Sequence, residues 1–395
     1  MNPLRKLTCF SISSLLLVST TALAGYGGRE IKVMTQNQYI GADLALLLAA
    51  PQNQFNDVLV SVLKKANANR FHDRAQRLAT QIAKERPDVV ALQEVWRLDC
   101  KDLATPKAGK GCKDPLIAGA FIDQLQETLS ALKTKGIKYK VVARVKNLDV
   151  SLVKIGNLPA GIPFTVNTFP ALLNTIDRDV ILVRSDLQAQ AVNLKPVCPT
   201  KISFEGCHYQ WVVNALFPGA PSGLLPIERG FVIADVKVGS RSYRIVNTHL
   251  EVRDPTPDPA TRIFQAKQAE ELITTLKNTT PLGKTLLVLG DMNSSPDDRE
   301  IPGIIAPYWQ FVEAGYIDTW TLTPHSTPGY TCCQAEDLLN KSSKLYERID
   351  HIFSKQDTWV ENIHLVGNRQ ADKTLPPGAR LWPSDHAGVG GELNF

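Results

Sequence analysis

The sequence predicts a fold of helices and strands in two similar halves that pack together. In the first half, an amphipathic helix over residues 73–85 is followed by a break at Arg-Pro-Asp and a buried strand over residues 89–92. In the second half, a helix over residues 262–276 is followed by a glycine and a strand over residues 286–289. Both strands are continuous apolar runs, as expected for strands buried on both faces, and an acidic residue follows each. The repeat is one of architecture, because the two units are not similar in sequence.

The first 24 residues have the pattern of a secretory signal peptide. Arg5 and Lys6 precede an apolar stretch that ends in Ala-Leu-Ala at residues 22–24. We expect cleavage near Ala24 and an exported protein, secreted or periplasmic. The stretch is too short and too rich in Ser and Thr for a good membrane span, and no later segment is apolar enough for one. Residues 25–395 contain no linker and are expected to form a single monomeric domain.

The charge of the chain permits a phosphate-bearing partner without requiring one. The formal net charge is +5, and it becomes +3 without Arg5 and Lys6. No basic tract of the kind that announces nucleic-acid binding is present in the sequence.

The cysteines indicate disulfide bonds. Six follow the signal peptide, and an even number in an exported protein is typical of paired cysteines. They are Cys100, Cys112, Cys198, Cys207, Cys332 and Cys333. Proximity favours pairing the first with the second and the third with the fourth, although other pairings are possible. The adjacent last two could be bridged or reduced.

Less regular segments lie between the two halves. Residues 98–115 form a polar loop that should carry the first disulfide, and residues 118–132 read as a helix with one apolar face. Residues 141–174 are rich in Gly, Pro and Asn, so we expect them to meander over the surface. Asp179 then opens an apolar run over residues 180–183.

Acidic, amide and histidine side chains recur where apolar strands end or begin. Singly, each has an ordinary explanation, because Asp and Asn form turns and a lone His is more often structural. They are Asn37, Glu94, His249, Asp291, Asn293, Asp350, Asp385 and His386. Strand ends at one edge of a sheet lie together in space, so the set predicts a site there. Oxygen ligands, two histidines and no thiol suit Mg²⁺ or Mn²⁺ rather than zinc.

Six short motifs follow one another along the chain. They are Asn37, Leu-Gln-Glu-Val at 92–95, Asn-Thr-His-Leu at 247–250, Gly-Asp-Met-Asn at 290–293, Arg-Ile-Asp at 348–350 and Ser-Asp-His at 384–386. Each is weak alone, but the ordered set resembles the endonuclease/exonuclease/phosphatase superfamily over nearly the whole mature chain. That superfamily includes DNase I-like nucleases, neutral sphingomyelinases and inositol polyphosphate phosphatases. The resemblance implies an α+β fold, a four-layer αββα sandwich of two mostly antiparallel sheets.

The resemblance also implies a metal site and a proton-transfer pair. Glu94 would hold the metal with Asn37 beside it, and Asp385 lies where the superfamily often has a second acidic metal contact. His386 would be the general base or acid, held in its tautomer by Asp350.

Further residues would handle the water and the phosphate. By the same resemblance, Asp291 would align or activate the attacking water, and Asn293 would donate to a phosphate oxygen. His249 would contact the phosphate or protonate the leaving oxygen. Asp179 could orient His249, but Asp177 is an equally spaced rival on the same face of the strand.

Three functions are compatible with these residues. The first is a DNase I-like nuclease, which export, mild basicity and the two histidines favour. The second is a sphingomyelinase- or phospholipase C-like lipid phosphodiesterase, or an inositol-phosphate phosphatase; residues 307–311 would be its interface loop or else a buried strand. The third is a non-catalytic binding protein on the same fold. Tyr39 occupies a position where some nucleases of the superfamily carry a metal-holding aspartate, which argues against a close match to base-excision nucleases.

Overall fold

Two β-sheets lie face to face at the centre of the computed structural model, and helices cover both outer faces. The structure describes residues 30–103, 107, 109–154, 156, 157, 159–200, 202, 203, 206–216, 224–253, 260–299, 301–325 and 327–395. The strands are β1 (Glu30–Asn37), β2 (Val89–Gln93), β3 (Arg97–Asp102), β4 (Tyr139–Asp149), β5 (Ile162–Val166), β6 (Phe169–Arg184), β7 (Gln188–Ala191), β8 (Ile202–Ser203), β9 (Gly206–His208), β10 (Val213–Leu216), β11 (Leu224–Ile227), β12 (Gly230–Val238), β13 (Arg241–His249), β14 (Thr285–Asp291), β15 (Ile317–Asp318), β16 (Asp350–Ser354), β17 (Trp359–Val366) and β18 (Gly388–Asn394). The helices are α1 (Ala45–Leu48), α2 (Phe55–Ala68), α3 (Phe71–Glu85), α4 (Gln124–Thr134), α5 (Ala260–Thr279) and α6 (Pro307–Glu313).

The two sheets have related arrangements. The first has the order β17-β18-β1-β2-β6-β3, with β4 and β5 also paired to β6. The second has the order β15-β16-β14-β13-β12-β9-β8, with β7 also paired to β12, while β10 and β11 form a separate hairpin. Within the described ranges, each sheet has one parallel pair, β1/β2 or β13/β14, and its other pairs are antiparallel.

Apolar clusters between the layers hold the sandwich together. Val33 and Ile181 of the first sheet pack with Ile245 and Leu289 of the second. A second cluster joins α3 and α4 to the outer face of the first sheet, and a third joins α5 and α6 to the outer face of the second. Continuous apolar runs form the central strands because both faces of each sheet are covered. The predicted four-layer αββα sandwich of the α+β class is therefore confirmed.

The parallel pairs bring the predicted polar residues to one edge. A crossover that includes α3 joins β1 to β2, and a crossover that includes α5 joins β13 to β14. In register, Asn37 pairs with Gln93 and His249 pairs with Asp291. The ends of all four strands therefore lie where the sheets approach each other.

Asn247 ties the two sheets together just behind this edge. Its Nδ2 donates to the carbonyl oxygens of Leu92 (2.9 Å) and Val180 (3.0 Å) in the opposite sheet. Its Oδ1 accepts from Nε2 of Gln93 at 2.6 Å. The side chain is fully buried. Because buried polar groups are costly when unpaired, this amide fixes how the sheets meet.

Replacing Asn247 with alanine should lower the free energy of unfolding by about 2–4 kcal/mol, because it leaves buried partners on both sheets unsatisfied. Urea unfolding followed by circular dichroism measures the change. Asn214→Ala is the matched control, because Asn214 is an exposed residue of β10. Equal midpoints for the two variants would contradict the role given to Asn247.

The expectation for residues 141–174 is wrong. Most of that segment forms β4, β5 and the beginning of β6, and these strands pair with one another rather than meandering. Ala143 and Val145 are buried between the sheets. Buried and part-buried residues alternate along much of β4, as is typical of a strand. The Gly and Pro residues of this segment lie mainly in the connections between strands.

Two further segments differ from expectation. The helix predicted over residues 118–132 begins later, because the Asp123 side chain accepts from the backbone N–H groups of Leu125 and Gln126 and so caps α4. Residues 307–311 are neither a loop nor a strand but lie in α6, with Pro307 in its first turn.

The cysteines pair as proximity predicted. Bonds join Cys100 to Cys112 and Cys198 to Cys207, and a third joins the adjacent Cys332 and Cys333. Among the helices in the described ranges, none has the length and apolarity that crossing a bilayer requires. The predicted signal peptide at residues 1–24 lies outside the described residues.

Candidate active site

Carboxylates and one amide meet at the shared edge of the sheets. Nδ2 of Asn37, at the end of β1, lies 3.1 Å from Oε1 of Glu94 and 3.1 Å from Oδ2 of Asp291. Oδ1 of Asn37 accepts from the backbone N–H of Tyr39 at 2.9 Å. Asn37 thus directs its N–H groups at the two carboxylates and its oxygen at the backbone. In this arrangement Asn37 holds the two acids together, and its role as a metal ligand stays a prediction.

Glu94 and Asp385 have the chemistry of a divalent metal site. Burial first, and the charge of Glu94 in addition, raise the pKa of Asp385 to about 6, against the opposing charges of His386 and Arg74. Glu94 leaves β2 with a left-handed backbone (φ 52°), and its Oε2 accepts from the Ile40 N–H at 3.3 Å. A cation beside the half-buried Glu94 and Asp385 would stabilise both carboxylates. Hard oxygen donors fit Mg²⁺ or Mn²⁺.

His386 is held by Asp350, as the sequence predicted. Nδ1 of His386 lies 2.8 Å from Oδ2 of Asp350 and 3.8 Å from Oδ2 of Asp291. Burial lowers the pKa of His386, but Asp350 and Asp385 raise it well above its ordinary value. Because Nδ1 faces Asp350, Nε2 is the ring nitrogen left for a substrate.

Asp291 lies at the centre of the site. Its Oδ1 accepts from the backbone N–H of Asn293 at 2.9 Å. Burial and the charge of Asp350 raise the pKa of Asp291 to about 7, and His386 opposes them. Gly290 makes the position possible: it has φ of +149°, and a Cβ there would overlap the carbonyl oxygen of Thr248 on the paired strand.

The Asn293 side chain uses one of its two amide hydrogens in a bond within the protein. Its backbone is left-handed (φ 46°), and its Nδ2 donates to the carbonyl oxygen of Leu250 at 2.9 Å. An amide carries two N–H donors, so the second remains for a phosphate oxygen. The phosphate-donor role expected of Asn293 stays a prediction.

Arg229, which the sequence did not single out, contacts His249. Its Nη1 lies 3.1 Å from Nδ1 of His249, and its Nη2 lies 3.4 Å from Oε1 of Glu251. A guanidinium only donates, so Nδ1 of His249 must accept and the ring proton must lie on Nε2. Burial, then the charge of Arg229, lowers the pKa of His249 well below its ordinary value. His249 is therefore a neutral donor, with Nε2 3.5 Å from Oδ2 of Asp291.

The expectation that Asp179 or Asp177 orients His249 is corrected by this contact. Among the described residues, no hydrogen-bond partner is found for either oxygen of Asp179, and the side-chain bond of Asp177 with Asn147 is long, at 3.4 Å. Burial, and then the charge of Asp177, raises the pKa of Asp179 well above its ordinary value. Arg229 was missed because it lies 20 residues before His249 and reaches the ring through the antiparallel pairing of β12 with β13. Its only sequence signal is a charged pair, Glu228 and Arg229, just before an apolar strand.

Replacing Arg229 with methionine should lower kcat/KM by about 10- to 100-fold, because His249 loses the partner that selects its tautomer. The ¹⁵N chemical shifts of the His249 ring should change from a single Nε2–H tautomer to a mixture. Arg253→Met is the control, because Arg253 lines the same cavity but binds Asp298 and Glu347. An unchanged His249 tautomer in Arg229→Met would contradict this role.

The remaining histidine near the motifs, His351, is structural. It is buried, and its Nε2 lies 2.9 Å from the carbonyl oxygen of Ser294. Most of the predicted site residues, in contrast, line one cavity of about 580 Å³, whereas Asn37, Asp179 and Asp350 are not part of its lining. Those that line it are Glu94, Asp177, His249, Asp291, Asn293, Asp385 and His386.

Solved structures with the same fold come from several bacteria. A mannosyl-6-phosphatase from Bacteroides thetaiotaomicron is 15% identical and covers 92% of this chain and 100% of its own, with a TM-score of 0.51. Another endonuclease/exonuclease/phosphatase family protein from that organism is 15% identical, with coverages of 93% and 98% and a TM-score of 0.51. A protein of this kind from Beutenbergia cavernae is 18% identical, with coverages of 93% and 72% and a TM-score of 0.50. At these identities the likeness concerns the fold alone.

The sequence comparisons identify the family. No curated protein matched the chain. The model of the Endonuclease/Exonuclease/phosphatase family matches residues 53–386, which span most of the chain and include the motifs from Glu94 to His386. Members of this superfamily hydrolyse phosphoric esters, and in general they use divalent metals. The chain therefore belongs to the endonuclease/exonuclease/phosphatase family.

Proposed function

We propose that this protein is an exported phosphodiester hydrolase that requires a divalent metal, Mg²⁺ or Mn²⁺. The observation that carries the proposal is the pair of His386 and Asp350, 2.8 Å apart, next to the buried carboxylate of Asp291. His386 and Asp291 line one cavity. Glu94 and Asp385 would hold the metal. A divalent cation held there would neutralise charge on the phosphoryl oxygens and would make the attacking water easier to deprotonate.

Other residues of the chain would position the water, bind the phosphoryl oxygens and transfer protons. Asp291, fixed by Asn37 and by the N–H of Asn293, orients the water and accepts its proton. Asn293 and Nε2–H of His249 donate to phosphoryl oxygens as negative charge develops on them. His386 presents Nε2 to the phosphoryl group and supplies a proton to the leaving oxygen. Water attacks phosphorus in line, so the new bond forms opposite the one that breaks.

Export and a single domain belong to the same proposal. The disulfides Cys100–Cys112 and Cys198–Cys207 suit an oxidising compartment, which a signal peptide cut near Ala24 would provide. Residues 25–395 would then act as one domain and as a monomer.

Nucleic acid and lipid are the two substrate classes to be separated. The sequence leans to a DNase I-like nuclease, since the chain is mildly basic and has both histidines. Of the described residues that line the cavity, Arg229 and Arg253 are the only Lys or Arg, and each is paired with a carboxylate; His386, also in the lining, is paired with Asp350. A groove for several phosphates would need free cations, so this observation favours a substrate with one phosphate.

The test is hydrolysis of a small chromogenic diester, bis(4-nitrophenyl) phosphate, by the full mature chain. Activity should disappear with EDTA and return with Mg²⁺ or Mn²⁺. Plasmid DNA, RNA, sphingomyelin, phosphatidylcholine and inositol phosphates are then compared. If no ester is hydrolysed with either metal, the catalytic proposal is wrong, and a non-catalytic binding protein is left.

A further inference from the structure

We infer that the substrate is a phosphodiester with an aliphatic chain, of the phospholipid class, and that the chain occupies an apolar arm of the active-site cavity. The inference rests on the proposed function and names its substrate. We call the apolar arm the part of the cavity lined by Leu47, Phe55, Leu59, Leu148, Ile162 and Leu225. Five elements contribute to it: α1, α2, β4, β5 and β11.

The apolar arm is continuous with the catalytic residues. Its side chains belong to one packed cluster, which also contains Tyr39 and Trp96. Nε1 of Trp96 lies 3.4 Å from Oε2 of Glu94, so the apolar surface begins beside the proposed metal ligand. A molecule whose phosphorus lies near Glu94 would therefore extend directly over aliphatic side chains. The cavity volume of about 580 Å³ is within the range of small-molecule pockets.

The accessible part of the apolar arm lies at α1 and β4. Leu47 and Leu148 are half-buried, whereas Phe55, Leu59, Ile162 and Leu225 are buried. Helix α1 is the uncharged sequence Ala-Leu-Leu-Leu, and Leu48, which also lines the cavity, is 42% exposed. Apolar side chains that border an open cavity are typical of sites that bind apolar groups.

Charge disfavours the competing substrates. Nine carboxylates and two guanidinium groups line the cavity in the described part of the chain. A polynucleotide brings a phosphate with every residue, and these acids would repel it. An inositol or sugar phosphate would leave the apolar arm in contact with hydroxyl groups or water. A lipid phosphodiester has one phosphate for the polar end and a hydrocarbon chain for the apolar arm.

The reaction would be hydrolysis of a P–O bond of this diester. The oxygen of water bonds to phosphorus, the bond from phosphorus to the leaving oxygen breaks, and the water proton passes to Asp291. The leaving oxygen departs as an alcohol after taking a proton from His386. No oxidant, reductant or second substrate is needed.

The experiment measures kcat/KM for a series of alkyl phosphocholines with two, four, six and eight carbons, kept below their micelle concentrations, with Mg²⁺ present. Each methylene buried in the apolar arm should raise kcat/KM by about three- to fourfold. The slope against chain length is measured within each variant, so it does not depend on the fraction of folded enzyme. Leu47→Asp, in the wall of the apolar arm, should flatten the slope. Leu148→Asp, on β4, should do the same.

Leu46→Asp is the matched control. Leu46 lies on the same helix and is 52% exposed, but it does not line the cavity. It should keep the wild-type slope, and it should hydrolyse bis(4-nitrophenyl) phosphate at the wild-type rate. A flat slope in the wild type, with this diester still hydrolysed, would overturn the inference and leave the proposed function standing. If plasmid DNA is cleaved and the slope against alkyl chain length is flat, the substrate class is nucleic acid rather than lipid. If no diester is hydrolysed, both the inference and the proposed function are wrong.

Discussion

Replacing His386 with alanine is expected to lower kcat by about 10²- to 10⁴-fold, the range for loss of a positioned acid or base. The ring is buried at the cavity, and Asp350 holds its Nδ1 at 2.8 Å. The chain offers no replacement at that place, since His249 is kept neutral and is bound to Arg229 through its own Nδ1. Substrate binding depends mainly on other groups, so KM should change much less than kcat. Steady-state kinetics on bis(4-nitrophenyl) phosphate measures both constants.

The hydrogen bond between His386 and Asp350 allows a stricter test of the role of His386. Asp350→Asn should lower kcat by at least about tenfold, because an amide cannot hold the imidazole in the same tautomer. If the two residues act as a unit, Asp350→Asn should have little further effect in a chain that already carries His386→Ala. His364→Ala is the control: His364 lies 3.1 Å from Glu85, away from the cavity, and its loss should leave kcat unchanged. Full additivity of the two losses would show that His386 and Asp350 do not act together.

Whether a site residue could be predicted from the sequence depends on the structural element that brings it to the site. Residues at the ends of parallel strands could be predicted, because a buried apolar run and its crossover determine both the strand and its end. Glu94, His249 and Asp291 are of this kind. Asp350 and His386 start or precede antiparallel strands, and they were found because their motifs resemble those of the superfamily.

Residues that reach the site by side-chain length or by hairpin pairing could not be predicted. Arg229 lies before an ordinary apolar strand, and only the pairing of β12 with β13 brings its guanidinium to His249. Asp179 was the reasonable alternative, because an acid is the usual partner of a catalytic histidine. Its burial without a hydrogen-bond partner is a property of the packed sandwich and has no signal in the sequence.

The apolar arm was unpredictable for a related reason. Its wall combines Leu47, Phe55, Leu148, Ile162 and Leu225, which lie far apart along the chain. Each has the apolar neighbours of an ordinary core residue, so periodicity assigns it to the core. Only the arrangement of the five elements shows that these side chains border one cavity.

Replacing Glu94 with glutamine is expected to raise the Mg²⁺ or Mn²⁺ concentration for half-maximal activity by more than about 100-fold. Loss of a group behind a ligand reduces metal affinity by about 10- to 100-fold, and loss of a charged ligand should have the larger effect. Glutamine keeps the length of the side chain and one oxygen that can accept from Asn37, so the fold should be retained. Titration of Mn²⁺ binding by electron paramagnetic resonance gives the affinity without reference to turnover.

Glu336→Gln separates this effect from a general loss of negative charge in the cavity. Glu336 lines the same cavity, but it is paired with Lys65 at 2.7 Å on the surface. Both substitutions remove one carboxylate, so simple electrostatic attraction of cations predicts similar changes for the two. Coordination by Glu94 predicts a large change for Glu94→Gln alone, together with kcat near the wild-type value once metal is saturating. Equal Mn²⁺ affinities in the two variants would show that Glu94 is not a metal ligand. The next group to test would then be Asp291, Asp350 and His386, whose ligand atoms lie within 4.8 Å of one another.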